Sequence, residues 1–99
     1  MFDILFTYGT LQYPEVQHSV FGRVAQMTTD ILDGFQKDQI FLSSNYYPII
    51  RVNPANFVIG ERMQVTPEEL LFIDRYETSA YRRVRVKLRS GLSAWVYCE

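Results

Sequence analysis

The chain has one cysteine, Cys98, and one histidine, His18. A lone cysteine excludes an internal disulfide and argues against a cysteine-built metal site. A lone histidine has no second histidine with which to form a ligand cluster. Neither sign of charge is in excess. The formal net charge is −1, which gives no global attraction to nucleic acid or to an acidic membrane surface. No apolar run approaches the ~20 residues of a membrane span. Met1-Phe2-Asp3 does not read as the start of a signal peptide. Repeats, low-complexity stretches and linkers are missing too. These absences predict a single domain over residues 1–99, cytoplasmic and without a metal centre.

What the chain does have is apolar and aromatic bulk. It is 47% hydrophobic, with seven Tyr and seven Phe among its 99 residues. Such side chains bury large areas and offset the poor surface-to-volume ratio of a small domain.

The first stretch, Phe2 to Gln12, reads as a buried strand running into a turn. Phe2, Ile4, Leu5 and Phe6 are too densely apolar for a strand with one wet face, so cover on both faces is expected. Gly9 then allows an unusual backbone angle or a close approach by another group. A Tyr8-Gly9-Thr10-Leu11 turn can aim several backbone N–H groups at one point, a concavity suited to carboxylate or phosphate oxygens. Taken alone, Gly9 fits an ordinary strand-closing turn better.

Pro14 to Phe21 predicts a short helix with Val16 and Val20 on one face, ended by Gly22, with His18 solvated opposite them. Val24 to Asp33 has no clear periodicity. A strand from Ile31 through Gly34-Phe35 is expected, and Lys37 to Leu42 could pair with it. Ser43-Ser44-Asn45 and Asn53-Pro54-Ala55-Asn56 read as turns. Between them lies a strand that Pro48 confines to an edge or a bulge. In the strand Phe57 to Val65, Phe57, Ile59, Met63 and Val65 share a face. Glu61 falls in the same phase, either at a sheet rim beside an Arg or in a polar pocket, with the rim favoured. Thr66-Pro67-Glu68-Glu69 is a capping box with a Val65–Leu70 staple, and it opens a helix ending near Tyr76-Glu77.

The last third predicts a β-hairpin with its turn at Ser90-Gly91. Val84, Val86 and Leu88 face one way; Arg83, Arg85, Lys87 and Arg89 face the other. That basic row could serve an interaction module, but a wet sheet face without interleaved aromatics is the better reading. Arg82 shares the phase of Val84 and is therefore expected to point inward. A buried Arg needs a partner, with Glu77 or Glu61 the candidates. For Glu77 two readings stand level: a helix-end salt bridge with Arg82, or a desolvated carboxylate able to act as general base and then general acid.

Taken together, Tyr8-Gly9-Thr10-Leu11, Gly34-Phe35, Tyr47-Pro48, Gly60-Glu61, Leu70 to Glu77, Tyr81-Arg82-Arg83 and Trp95-Val96-Tyr97 resemble, in order and spacing, the gamma-glutamylcyclotransferase-like proteins. That group includes the gamma-glutamylamine cyclotransferases. The resemblance implies an α+β fold, a small mixed β-barrel-like sheet flanked by two helices. It implies attack of a γ-glutamyl α-amine on its own γ-carbonyl, giving 5-oxoproline and a released amine, amino acid or peptide, with no cofactor. Carried over by position, Glu77 is the acid/base and the Tyr8, Gly9, Thr10 and Leu11 amides hold the substrate carboxylate. Tyr47, Tyr81, Arg82 and Tyr97 complete the binding set. Two departures stand out: Gln12 where many relatives carry Arg, and Thr78-Ser79-Ala80 where many carry a glycine. The alternative reading is a non-catalytic domain of the same fold that binds small carboxylates.

Overall fold

The computed structural model describes residues 1–99. Its strands are β1 (Asp3–Thr7), β2 (Met27–Leu42), β3 (Asn45–Val65), β4 (Arg82–Lys87) and β5 (Ser93–Cys98). Its helices are α1 (Pro14–Phe21) and α2 (Pro67–Glu77), with 3-10 turns at Thr10–Gln12 and Thr78–Ala80. The five strands form one mixed sheet in the order β2-β3-β1-β5-β4. β1 is its central strand, antiparallel to β3 and parallel to β5.

The apolar density of β1 is explained by this position. Leu5 and Phe6 point to opposite faces, and both are essentially inaccessible to solvent. Leu5 joins Met63, Val65, Leu70, Ile73 and Tyr97 under the helices. Phe6 joins Leu32, Ile50, Val58, Ala94 and Val96 on the other face. That second core is enclosed because the sheet curls. Its outer edges meet where the Arg89 N–H donates to the Ile31 carbonyl at 2.8 Å. The sheet is nonetheless open: β2 and β4 form no ladder, so the barrel is incomplete.

Asp30 reinforces this seam. Its carboxylate accepts from Ser90 Oγ at 2.5 Å and from Arg62 Nε at 2.9 Å. Burial opposes its charge, but the hydrogen bonds from Ser90, the Ile31 N–H and Arg62 hold its carboxyl below the usual range. Asp33 and Arg89 pair at 2.6 Å just beyond it.

Helix α2 forms as its sequence dictates. The Thr66 side chain accepts from the Glu69 N–H, and the Glu69 carboxylate accepts from the Thr66 N–H. Val65 and Leu70 are both buried beside it. Helix α1 ends at Gly22, which has φ 82°. Its buried face is Gln17 and Phe21, with Val16 and Val20 only partly covered. Gln17 is fully buried because it stitches the chain together, donating to the Leu11 carbonyl and accepting from the Ala25 N–H.

Several expectations change. Lys37–Leu42 does not pair back onto Ile31–Phe35. It continues β2 past a bulge at Gly34 and pairs with Asn45–Ile50. The loop of this long hairpin is two residues, Ser43 and Ser44, both with positive φ, as a type I′ turn requires. The turn expected at Asn53–Asn56 is a four-residue excursion within β3, since Val52 faces Phe35 and Phe57 faces Asp33. Pro48 is tolerated because β1 pairs only with Glu61–Val65, leaving the other side of early β3 without a strand.

Phase did not translate directly into burial. Phe57 and Ile59 share a face with Met63 and Val65 but stay exposed, because the helices cover only the far end of β3. Glu61 forms no ion pair; its neighbour Arg62 is the one that pairs, with Asp30. Arg82 is exposed, and its Nε donates to the Glu99 carbonyl at 2.7 Å. It sits at the start of β4, outside the core that Val84 and Val86 flank. The basic row is not free of aromatics either. Arg85 faces Trp95 across the ladder, and the guanidinium groups of Arg83 and Arg85 lie 4.3 and 4.6 Å from the Trp95 ring centroid.

Gly60 marks the tightest crossing. A Cβ there would lie 2.5 Å from the Thr7 carbonyl oxygen and 2.7 Å from Phe6 Cζ. The carbonyl belongs to the central strand and has nowhere to move. Gly60→Ala is therefore expected to cost about 1–3 kcal/mol or more in urea unfolding. Gly91→Ala, where an added Cβ meets nothing within 4 Å, serves as the uncrowded comparison, strained only by its positive φ.

Candidate active site

A cavity of about 420 Å³ opens at the C-terminal end of β1. Its floor is β1 and the turn that follows, Tyr8 to Leu11. One wall is the β2–β3 hairpin at Leu42, Ser43, Tyr47 and Pro48. The other is the end of α2 at Tyr76 and Glu77, with Thr78, Tyr81 and Tyr97. Of the residues expected at a site, Tyr8, Gly9, Thr10, Leu11, Tyr47, Glu77, Tyr81 and Tyr97 line this one space. Arg82 does not.

The turn is held through its carbonyls. The Gly9 carbonyl accepts from both the backbone N–H and the side-chain Nε2 of Gln12, each at 3.1 Å; the Thr10 carbonyl accepts from the Tyr13 N–H at 3.0 Å. None of these bonds uses the N–H of Tyr8 or Gly9, and Thr10 and Leu11 head a 3-10 turn whose first donors lack partners within it. Gln12 thus braces the turn rather than presenting a charge. The glycine serves a close approach: a Cβ at Gly9 would lie 3.0 Å from Pro48 Cγ.

Glu77 sits half-buried at the end of α2, and its carboxylate has neither a salt bridge nor a hydrogen bond to the protein. Nearby arginines are committed elsewhere, Arg83 to Asp74 at 2.9 Å and Arg82 to the Glu99 carbonyl. Loss of hydration without compensation pushes the Glu77 carboxyl up to about 7. Its charge is felt by its neighbours. Tyr8 and Tyr81 are raised chiefly by burial and further by Glu77, Tyr81 to about 12; Tyr97 is raised by burial, then by Asp74, with Glu77 adding least.

The tyrosines around Glu77 turn their hydroxyls into the protein. Tyr8 donates to the Tyr97 carbonyl at 2.5 Å, Tyr81 to the Pro48 carbonyl at 2.7 Å, and Tyr97 to Asp74 Oδ1 at 2.5 Å. Tyr76 and Thr10 share a hydrogen bond at 2.5 Å that ties α2 to the turn.

A family profile described as "Gamma-glutamyl cyclotransferase, AIG2-like" matches residues 5–99. The chain belongs to this family. AIG2-like protein C of Arabidopsis thaliana is 33% identical over 85 residues, covering 85% of this chain and 48% of that protein. AIG2-like protein B of the same plant is 31% identical over the same span. The chain thus spans about half the length of the curated relatives it matches. A solution structure from Arabidopsis thaliana superimposes with TM-score 0.82 at 27% identity, over 98% of this chain and 68% of that one. A structure named gamma-glutamyl cyclotransferase gives TM-score 0.80 over 99% and 66% of the two chains; at 18% identity, that likeness concerns the fold.

Within this AIG2-like domain, sequence reasoning missed Leu42, Ser43, Pro48 and Thr78 as cavity residues. At Tyr76, α2 overhangs the sheet and the ring is 41% exposed. The signal for Pro48 lay beside the expected Tyr47. For Leu42 and Ser43 only the short hairpin loop hinted that the tip would bend over the cavity.

Thr78, next to Glu77, has φ 62° and ψ −174°. That region is populated almost only by glycine, at a cost of about 1–3 kcal/mol for other residues. Thr78→Gly is expected to raise stability by about 1 kcal/mol, the strain relieved minus the added unfolded-state freedom, in urea unfolding.

The Glu77 shift carries a sign. Its folded value of about 7 lies above the ordinary 4.5, so its contribution to stability is complete below pH 4.5 and is lost as pH rises through about 7. Glu77→Gln mimics the neutral acid. The variant is expected to melt with the wild type at pH 4.5 and above it at pH 8. Parallel melting curves across that range would show that the carboxyl titrates normally.

Proposed function

We propose that this chain is a γ-glutamyl cyclotransferase with Glu77 as its single acid/base. The observation that carries the reading is one unpaired carboxyl and one turn with unused N–H groups lining the same cavity. The turn binds the substrate's α-carboxylate through the amides of Tyr8, Gly9, Thr10 and Leu11, which suit an anion. With the α-carboxylate fixed there, the flexible γ-glutamyl chain folds back so that its α-nitrogen approaches its own γ-carbonyl. Ring closure is intramolecular, so positioning supplies much of the acceleration.

The proton transfers follow from the Glu77 carboxyl. As carboxylate it takes a proton from the α-ammonium. The freed amine attacks the γ-carbonyl carbon, forming the ring C–N bond. Collapse of the tetrahedral intermediate breaks the original amide C–N bond, and Glu77 returns its proton to the departing nitrogen. Overall the ammonium loses two protons on becoming the lactam N–H, and the leaving nitrogen gains two on departing as ammonium. One passes through Glu77; the other exchanges with water. A carboxyl tuned near neutrality is suited to both halves of the exchange. Tyr47, Tyr81 and Tyr97 shape the space around the substrate.

The test is a panel of γ-glutamyl amines and peptides assayed for 5-oxoproline. Turnover is expected with at least one member, with a rising pH limb near 7. Glu77→Gln is expected to lower kcat by about 10²–10⁴-fold while the substrate still raises the melting temperature. Substrate that stabilises the wild type without ever yielding 5-oxoproline would instead mark a carboxylate-binding domain without turnover.

A further inference from the structure

β4 is an edge strand, and it forms no ladder with β2. The backbone groups that Arg82–Lys87 turn away from β5 have no partner in the protein; contact across the seam begins only beyond the strand, at the Arg89 N–H. Four of the six residues of β4 are basic. By alternation, Arg83, Arg85 and Lys87 share one face. On that face Arg83 and Trp95 line an open groove of about 320 Å³ between α2 and β4. Asp74 takes up Arg83 with two bonds, at 2.9 and 3.1 Å. Arg85 is far less engaged: it is half exposed and reaches Asp3 only at 3.7 Å. Lys87 is exposed and joins no ion pair, and the Arg82 Nε meets only the Glu99 carbonyl.

We propose that the free edge of β4 is a docking site for an extended acidic segment of a partner protein, added to the sheet as a further strand with its carboxylates opposite Arg85 and Lys87. In strand addition the main-chain N–H and C=O groups supply the attachment, and alternate side chains supply the selection. An acidic strand suits this edge because cross-strand pairs of opposite charge attract and those of like charge repel. The same rule disfavours a second copy of this chain, since β4 against β4 would set basic residues against each other. A nucleic acid fits less well. Its bases need an open ring to stack on, whereas the Trp95 ring already carries the guanidinium groups of Arg83 and Arg85, 4.3 and 4.6 Å from its centroid. No residue of β4 lines the cavity that holds Glu77, so this surface is independent of the cyclotransferase reading.

The probe is a short peptide alternating Glu with Thr, read by calorimetry and by the fluorescence of Trp95, the single tryptophan of the protein. It is expected to bind about tenfold or more tightly than its Lys counterpart, with an affinity that falls as salt rises. Arg85→Glu combined with Lys87→Glu is expected to reverse that preference, and binding of the Lys peptide shows that the variant is folded. Two further peptides carry N-methyl groups on either the Glu or the Thr nitrogens. In a strand these two sets point to opposite edges, so one methylated peptide is expected to bind like its parent and the other about tenfold or more weakly. Equal behaviour of the two overturns strand addition. Equal binding of the Glu and Lys peptides, or no binding of the Glu peptide, overturns the acidic partner. Self-association that the double variant abolishes, or tighter binding of a single-stranded oligonucleotide than of the Glu peptide, gives the edge a different occupant and overturns the proposal as well.

Discussion

The burial of β1 on every side is the constraint from which the rest follows. Both of its edges are hydrogen-bonded, to β3 and to β5, and both of its faces are packed. A strand so enclosed can expose only its ends. The Thr7 end emerges between the β2–β3 hairpin and the end of α2, and the backbone breaks there into the Tyr8–Leu11 turn. Gly60 is required because β3 crosses this strand at Thr7 and Phe6 with no room for a side chain. The cavity is therefore anchored at the least deformable part of a small domain. That rigidity fits a site whose task is to hold backbone N–H groups at fixed positions.

What could be read from the sequence was mostly local chemistry. The capping box of α2 depends on residues within one turn of each other, so Thr66 and Glu69 sufficed to place it. The doubled burial of β1 was legible from Leu5 and Phe6, because a strand with one wet face cannot carry apolar residues in succession; Phe2, counted with them, precedes the strand and is exposed. The co-location of Glu77 with the Tyr8–Leu11 turn was different. Nothing in the spacing of residues 69 apart dictates it, and only the resemblance of ordered motifs brought the two together.

The failures share a cause. Alternation along a strand says which face a side chain is on, not whether anything covers that face at that point. Arg82 is in phase with Val84 yet lies past the end of the core, and Phe57 is in phase with Met63 yet lies beyond the helices. Coverage is a tertiary property. The same limit hid the partnership of Trp95 with Arg83 and Arg85, because cross-strand register depends on the turn at Ser90-Gly91, whose length the sequence does not fix. Gln17 escaped notice for a related reason. Its partners at Leu11 and Ala25 lie outside the helix that carries it, and only Phe21 four residues on hinted that this face was the buried one.

The charge distribution explains why one carboxyl in the molecule is so different from the rest. Asp74 and Glu77 are three residues apart on α2, so they project from the same flank of the helix. Tyr97 separates them. Its hydroxyl donates to Asp74, its carbonyl accepts from Tyr8, and its ring walls the cavity. On the Asp74 side, Arg83 supplies two hydrogen bonds and full charge compensation. On the Glu77 side no cation lines the cavity, and Tyr8, Tyr76, Tyr81 and Tyr97 have their hydroxyls engaged within the protein. A cation moved across this partition would pair with Glu77 and pull its carboxyl back down. By binding Arg83, Asp74 keeps that guanidinium from the one carboxyl that burial raises to about 7.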